Sequence, residues 1–313
     1  MSTDTPLPVE RAARRNFDTL GTDMKQYEVV CRQHLMPGMP YVLRLDGDSF
    51  HKVTELLNVE RPFSDRFAAA MIHTANCVMK YLAGAVCAYV QSDEISIIVL
   101  PSPTGAHEHL AGRTDKLNSL AASLATVEFL GWFSENEKAL LRGRPLFDSR
   151  CFSLPEAELS YYLTWRQLDA WKNCVGSATH YALGGGAAAT RQLRGVSVKE
   201  RQAIYTEKTG KLALDLPAMH RRGVVLRKGA VDAPADPENP RSVGCQRKVA
   251  LMDANPPIFT KDTDYVTKLL SRAALPVINI GKMTAASVEP QQHPYYTPPG
   301  VGEVCVYVEE TLQ

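Results

Sequence analysis

Tyr41-Val-Leu-Arg-Leu-Asp-Gly-Asp-Ser-Phe-His51 decides how the chain is read. Its apolar start (Tyr41, Val42, Leu43, Leu45) stops abruptly at Asp46-Gly47, as a strand does on meeting a turn. A second stretch, Tyr89-Val-Gln-Ser-Asp-Glu-Ile-Ser-Ile-Ile-Val99, complements it. Two β-rich runs, 86–90 and 95–100, flank the polar Ser92-Asp93-Glu94 and predict a hairpin. Asp46 and Asp93, 47 positions apart, then stand at the ends of neighbouring strands with their carboxylates facing one point. Carboxylates beside a glycine that admits close backbone suit Mg²⁺, a hard ion that leaves positions open for phosphates. Two such ions serve phosphoryl or nucleotidyl transfer. Taken singly, an Asp-Gly strand end and a Ser-Asp-Glu tip are more often plain turns.

The surroundings raise the functional reading. Residues 64–82 place Phe67, Met71, Ala75, Val78, Met79 and Leu82 on one helical face, with Ser64 or Asp65 as the cap. A second helical pattern runs over 113–135, and 146–154 reads as a strand. The order βαββαβ predicts an α+β fold, the ferredoxin-like unit of a polymerase-type palm. The step from that palm to chemistry is analogy.

Composition narrows the class. The chain has 313 residues, ordinary apolar content and a net charge of +1, which excludes a uniformly basic surface. Basic character is local instead: between Ala187 and Gly229 there are ten Lys/Arg against three Asp/Glu, a footprint for RNA phosphates. Arg191, Arg194, Lys208, Lys211, Arg221 and Arg222 are the candidates. Seven cysteines without a C-x-x-C pair argue against a disulfide framework or a zinc site. No run reaches the length of a membrane span, and no leader-like apolar segment opens the chain, so a cytoplasmic protein is expected.

The remaining words divide the chain. Residues 17–31 predict a helix packing Phe17, Leu20, Met24 and Tyr27 on the palm. Residues 159–181 predict another, ending before Gly184-Gly-Gly186, which opens a looser segment. Residues 231–240 read as a surface loop, 247–252 as a short strand, 264–270 as a closing helix and 301–308 as an alternating strand. The expected organisation is a palm core with its N-terminal helix over 1–150, a helical and basic RNA-binding or oligomerising part of the same domain over 151–275, and a Pro-rich extension over 276–313.

Five words, in order and at compatible spacing, carry a resemblance. They are Arg44-Leu-Asp-Gly-Asp-Ser-Phe-His51, Tyr89-Val-Gln-Ser-Asp-Glu-Ile-Ser96, Phe147-Asp-Ser-Arg150, Trp165-Arg-Gln-Leu-Asp169 with Asn173, and Arg221-Arg-Gly223. Over roughly residues 17–270 the chain resembles the tRNA-His guanylyltransferase family, and most nearly its bacterial guanylyltransferase-like branch of 3′–5′ polymerases. The resemblance implies a metal-dependent nucleotidyltransferase that extends the 5′ end of tRNA after ATP or GTP has activated the 5′-phosphate. It implies two Mg²⁺ ions on Asp46, the Gly47 carbonyl and Asp93, with Glu94 either a further catalytic ligand or a supporting turn residue. For nucleotides, GTP and ATP being the substrates, it implies Arg44, Asp46, Gly47, Asp48, Ser49, Phe50, His51, Arg61, Ser92 and Asp93, with Arg113 and Lys116 on the activating triphosphate. For RNA it implies Asn173 beside Lys208, Lys211, Arg221 and Arg222, and for assembly a tetramer. One departure stands out: Trp171 occupies the place of a family histidine. It can do no proton work, although it can stack on a base. Two other readings remain open, a palm-type nucleotide cyclase or signalling-nucleotide synthase and a non-catalytic RNA-binding protein.

Overall fold

The computed structural model describes residues 17–103, 109–133, 142–233, 245–271, 277–278 and 305–307. In chain order the elements are α1 (Phe17–Val29), β1 (Tyr41–Asp48), α2 (Phe50–Leu56), α3 (Asp65–Tyr81), β2 (Ala85–Gln91), β3 (Glu94–Val99), α4 (Thr114–Trp132) and β4 (Leu146–Ser153). Then follow α5 (Leu159–Ala182), α6 (Gly186–Gln192), α7 (Val198–Thr209), α8 (Ala218–Arg222), β5 (Val224–Ala233), β6 (Cys245–Asp253), α9 (Thr263–Leu270), β7 (Val277–Ile278) and β8 (Cys305–Tyr307).

The first four strands lie in the order β4-β1-β3-β2, all antiparallel, which is the ferredoxin-like arrangement read from the sequence. The sheet then continues through β5, β6 and β8 on the β2 side, and β7 pairs with β5. Both faces are covered. Leu43, Leu45, Ala88, Val90, Ile95 and Ile97 pack against Met71, Ala75, Val78 and Met79 of α3 and Leu117, Ala121 and Phe129 of α4. Val42, Cys87, Tyr89 and Ile98 pack on the other side against Leu159, Tyr162 and Leu163 of α5 and Val266 and Leu269 of α9. Burial on two faces is why 95–100 is apolar except at the buried Ser96 rather than alternating. α3 begins where Ser64 accepts from the Phe67 amide at 3.3 Å, so Ser64 is the cap and Asp65 sits in the first turn.

Several expectations change. α1 forms, but Met24 and Tyr27 are exposed, so its apolar residues do not all pack on the palm. The segment after Gly184 is helical, not loose. Its strongest start was legible as Ser197-x-x-Glu200, a reciprocal capping box in the structure. The 151–275 part is not only helical, because β5 and β6 extend the palm sheet itself. Val224, Val225 and Leu226 are buried against β2, in the register Val90↔Val224 to Cys87↔Arg227. Three apolar residues followed by Arg-Lys-Gly give too short a period to read alone; strand pairing decides them. β5 also takes residues 231–233 from the expected loop, whose remainder, 234–240, lies outside the described residues. So do most of the Pro-rich extension and residues 301–304 and 308, while 305–307 form β8 along β6.

Candidate active site

The two carboxylate-bearing words meet through the backbone. Gly47 donates its N–H to the Asp93 carbonyl at 3.0 Å, tying the end of β1 to the hairpin tip. In register, Asp46 lies opposite Glu94 of β3 and Asp148 of β4. A Cβ on Gly47 would stand 2.5 Å from the Phe50 ring, so only glycine lets the chain pass there. Phe50 is held by Phe67, Phe129 and Phe147, with ring centroids 6.1, 5.1 and 5.0 Å away. Ser49 adopts a left-handed conformation (φ 56°) that turns the chain into α2. Asp48, Ser49 and His51 are exposed on this turn, whereas the Phe50 ring is in the core. The expected nucleotide contact from Phe50 is therefore restricted to its backbone, since aromatic packing has taken the side chain.

Asp93 is half-buried, at a tip where Ser92 also has positive φ (47°). Burial raises its pKa above the usual aspartate value, and the neighbouring Asp46 charge raises it further. A hydrogen bond involving Ser92, a backbone bond and the nearby His51 pull it back. Asp46 and Asp93 thus sense each other, and among the described residues neither takes an ion-pair partner. Two other carboxylates here are ion-paired, Asp148 with Arg150 and Glu94 with Arg166, and Asp65 lies 3.4 Å from His220.

Glu94 is the main revision. Its carboxylate accepts from Arg166 Nη1 at 2.5 Å in an ion pair buried on both sides, with Ser96 Oγ at 3.4 Å and Tyr162 Oη 2.8 Å beyond. Burial raises its pKa, while Arg166 and Arg44 oppose that rise. Glu94 therefore fastens α5 to β3, and Arg44 lends its charge to the same cluster rather than to the turn at Ser49. The Trp165–Asp169 word reads as structure too: Gln167 donates to the Pro257 carbonyl at 2.9 Å and accepts from the Phe259 amide at 2.8 Å. So does Arg221-Arg-Gly223. Arg221 Nε donates to the Leu216 carbonyl at 2.6 Å, Arg222 Nη1 to that of Pro256 at 2.9 Å, and Tyr89 Oη to that of Arg222 at 2.8 Å. At Gly223, with φ +72°, a Cβ would stand 2.5 Å from that tyrosine, so glycine is what carries the chain into β5.

A cleft of about 380 Å³ opens beside the hairpin tip. Arg61, Ser92 and Asn173 line it, together with Phe63, Tyr181 and His220. Arg61 donates to Thr54 Oγ1 at 2.8 Å, with its guanidinium 5.7 Å from the Tyr181 ring centre. His220 stacks on Phe63 (4.5 Å, 11°), and burial lowers its pKa against the pull of Asp65. No sequence pattern marked His220, a lone histidine before two arginines. Trp171 packs against the cluster of Val175, Ala178, Tyr205 and Ala213 at the α5–α7 contact. Arg113 and Lys116 start α4 away from the cleft lining. Arg113 is held by Asp115 at 2.5 Å, and Lys116 is exposed, as are Lys208 and Lys211.

The family model described as "Thg1: tRNAHis guanylyltransferase" matches residues 21–155. The tRNA(His) guanylyltransferase of Saccharomyces cerevisiae is 30% identical over 208 residues, 63% of this chain and 86% of that protein. The probable tRNA(His) guanylyltransferase of Dictyostelium discoideum is 32% identical over 207 residues, covering 63% and 78%. The chain belongs to the tRNA(His) guanylyltransferase family. It is thereby one of a family of nucleotidyltransferases. A bacterial tRNA(His) guanylyltransferase (Thg1)-like protein in complex with ATP superposes with a TM-score of 0.64 at 28% identity, over 80% of this chain and 99% of that one. The corresponding bacterial protein in complex with GTP gives 0.60 at 29% identity, over 81% and 99%. The stretch matched by the guanylyltransferase family model contains both carboxylates and β4. β5 and β6, which extend this chain's sheet, lie beyond it.

Proposed function

We propose that this chain is a metal-dependent nucleotidyltransferase that adds nucleotides in the 3′–5′ sense to the 5′ end of tRNA, after ATP or GTP has activated the 5′-phosphate. One observation carries the reading: Asp46 and Asp93 are brought together at tied strand ends with no ion-pair partner among the described residues, while Glu94 and Asp148 beside them are paired. Oxygen donors of this kind suit Mg²⁺, with Asp46, the Gly47 carbonyl and Asp93 as the holding groups. Bound there, the ions supply charge neutralisation and an activated attacking oxygen for in-line displacement at phosphorus.

The chain's own part is positioning. Gly47 and Phe50 fix the turn beneath the carboxylates, and Arg61 and the Phe63–His220 stack shape the cleft that takes a base or ribose. Extending a 5′ end requires the reactive phosphate on the RNA itself, so a second cationic contact set is needed for the activating triphosphate. Arg113 and Lys116 at the start of α4 are assigned that role, and exposed Lys208 and Lys211 the RNA phosphates. Tyr161, Trp165 and Leu168 form an exposed stripe at helical spacing on α5, which supports a homo-oligomer, here taken as a tetramer. Among the described residues no helix is long and apolar enough to cross a membrane, in keeping with a cytoplasmic site of action.

The test is incubation with a 5′-truncated tRNA, Mg²⁺, ATP and labelled GTP. RNA lengthened at its 5′ end is expected, and Asp93→Asn should abolish it. Cyclised nucleotide, or RNA retention without chemistry, would overturn the reading in favour of a cyclase or a binding protein.

A further inference from the structure

Away from the cleft, α3 and α4 bring an imidazole, a thiol and a carboxylate together. His73 and Cys77 are one helical turn apart on α3, and Glu128 faces them from α4. His73 Nε2 lies 3.1 Å from Glu128 Oε2, and Cys77 Sγ lies 3.6 Å from His73 Nε2. All three donor atoms fall within 4.8 Å of one another. None of the three residues lines the cleft.

We propose that His73, Cys77 and Glu128 form a site for a borderline divalent cation of the zinc class, separate from the Asp46–Asp93 pair. The separations carry the argument. Zinc bonds of about 2.0–2.3 Å arranged tetrahedrally place N and O ligands about 3.3 Å apart and N and S ligands about 3.6 Å apart. The observed 3.1 and 3.6 Å match two of the three edges, and the third, from Cys77 Sγ to the Glu128 carboxylate, lies within 4.8 Å. A His–Glu contact and an i,i+4 Cys–His hydrogen bond account for the two distances singly; a shared ion accounts for their convergence on one nitrogen. The donor set excludes Mg²⁺, which takes oxygen ligands and octahedral geometry. His73 and Glu128 keep 26% and 30% of their side-chain surface exposed, which provides an entry path and a water for the fourth position. Trp132, its ring centre 5.1 Å from that of His73, backs the imidazole. Binding releases the Cys77 thiol proton to solvent and joins α3 to α4, the two helices behind the carboxylate-bearing strands. The ion's role is to brace that layer, and phosphoryl transfer does not require it.

The test uses the metal-free full-length chain titrated with Co²⁺ and, separately, with Zn²⁺. One equivalent of Co²⁺ should bring up a thiolate-to-cobalt charge-transfer band with tetrahedral visible bands, and Zn²⁺ should bleach them. Zn²⁺ should also raise the thermal midpoint. Cys77→Ser should lose the thiolate band and the thermal shift. Glu128→Gln, at a half-exposed position that leaves the core intact, should weaken binding at least about tenfold. No thiolate band at one equivalent would overturn the proposal, as would a band that persists undiminished in Cys77→Ser.

Discussion

The amide of Gly47 donates to the carbonyl of Asp93 across 3.0 Å, so the strand end that carries Asp46 and the tip that carries Asp93 cannot drift apart. The two carboxylates are held close by backbone, against their own repulsion. That cost is legible in Asp93, whose pKa is raised first by burial and then by Asp46.

An active site that holds unpaired charge is less stable than it need be. A carboxyl whose folded pKa lies above its unfolded value lowers stability once ionised, and the penalty disappears as pH falls through the folded pKa. Asp93→Asn should therefore stabilise the metal-free protein near neutral pH, where the ionised, buried carboxylate carries that penalty. The gain should shrink as pH falls through the raised pKa of Asp93, and activity should drop at least about a thousandfold. Urea unfolding at a series of pH values, beside an addition assay, checks both. A destabilised Asp93→Asn would mean that the carboxylate is satisfied in the free protein.

Gly47→Ala tests the turn beneath the pair. Its methyl would meet the Phe50 ring at 2.5 Å, and three further phenyl rings keep that ring from swinging aside. Overpacking of this kind costs about 1–3 kcal/mol. The expected outcome is lost stability together with lost nucleotide addition, because the same turn aims Asp46. Adding Phe50→Leu should recover part of the loss, and a double-mutant cycle measures the coupling.

Glu94 and Arg166 separate support from chemistry. Removing one partner of a buried ion pair strands the other, at about 3–5 kcal/mol. Arg166→Leu should thus unfold the protein far more readily than wild type. Glu94→Leu with Arg166→Leu should restore much of the stability, because no charge is left buried. If the double variant is stable and still adds nucleotides, Glu94 is a brace for α5; stability without activity would return it to the metal site.

The palm was readable because its signals are local: a strand stopped by Asp-Gly, a hairpin about a polar tip, and helices with one apolar face. β5 was not, since Val224-Val-Leu226 becomes a strand only by pairing with β2. The site divides likewise. Asp46 and Asp93 announce themselves as acids at strand ends, whereas the destinations of Glu94, Arg44, Arg221 and Arg222 depend on partners 34 to 72 positions away or on a local carbonyl. A family word records that residues matter, without distinguishing a ligand from a strut.

That distinction yields a last prediction for the basic segment. Lys208 and Lys211 are exposed, while Arg221 and Arg222 each spend a donor on a backbone carbonyl. If the lysines meet RNA phosphates, Lys208→Ala with Lys211→Ala should leave stability within about 0.5 kcal/mol. The slope of log K against log salt for tRNA should fall by about two, one for each lost phosphate contact. Arg221→Ala should behave in the opposite way. It leaves the Leu216 carbonyl without its guanidinium donor and should cost about 1–3 kcal/mol, with a salt slope near wild type in whatever remains folded. Filter binding across a salt series, paired with thermal melts, reads both quantities. A salt slope that falls for Arg221→Ala but not for the lysine pair would move the RNA from the α7 surface to the α8 turn.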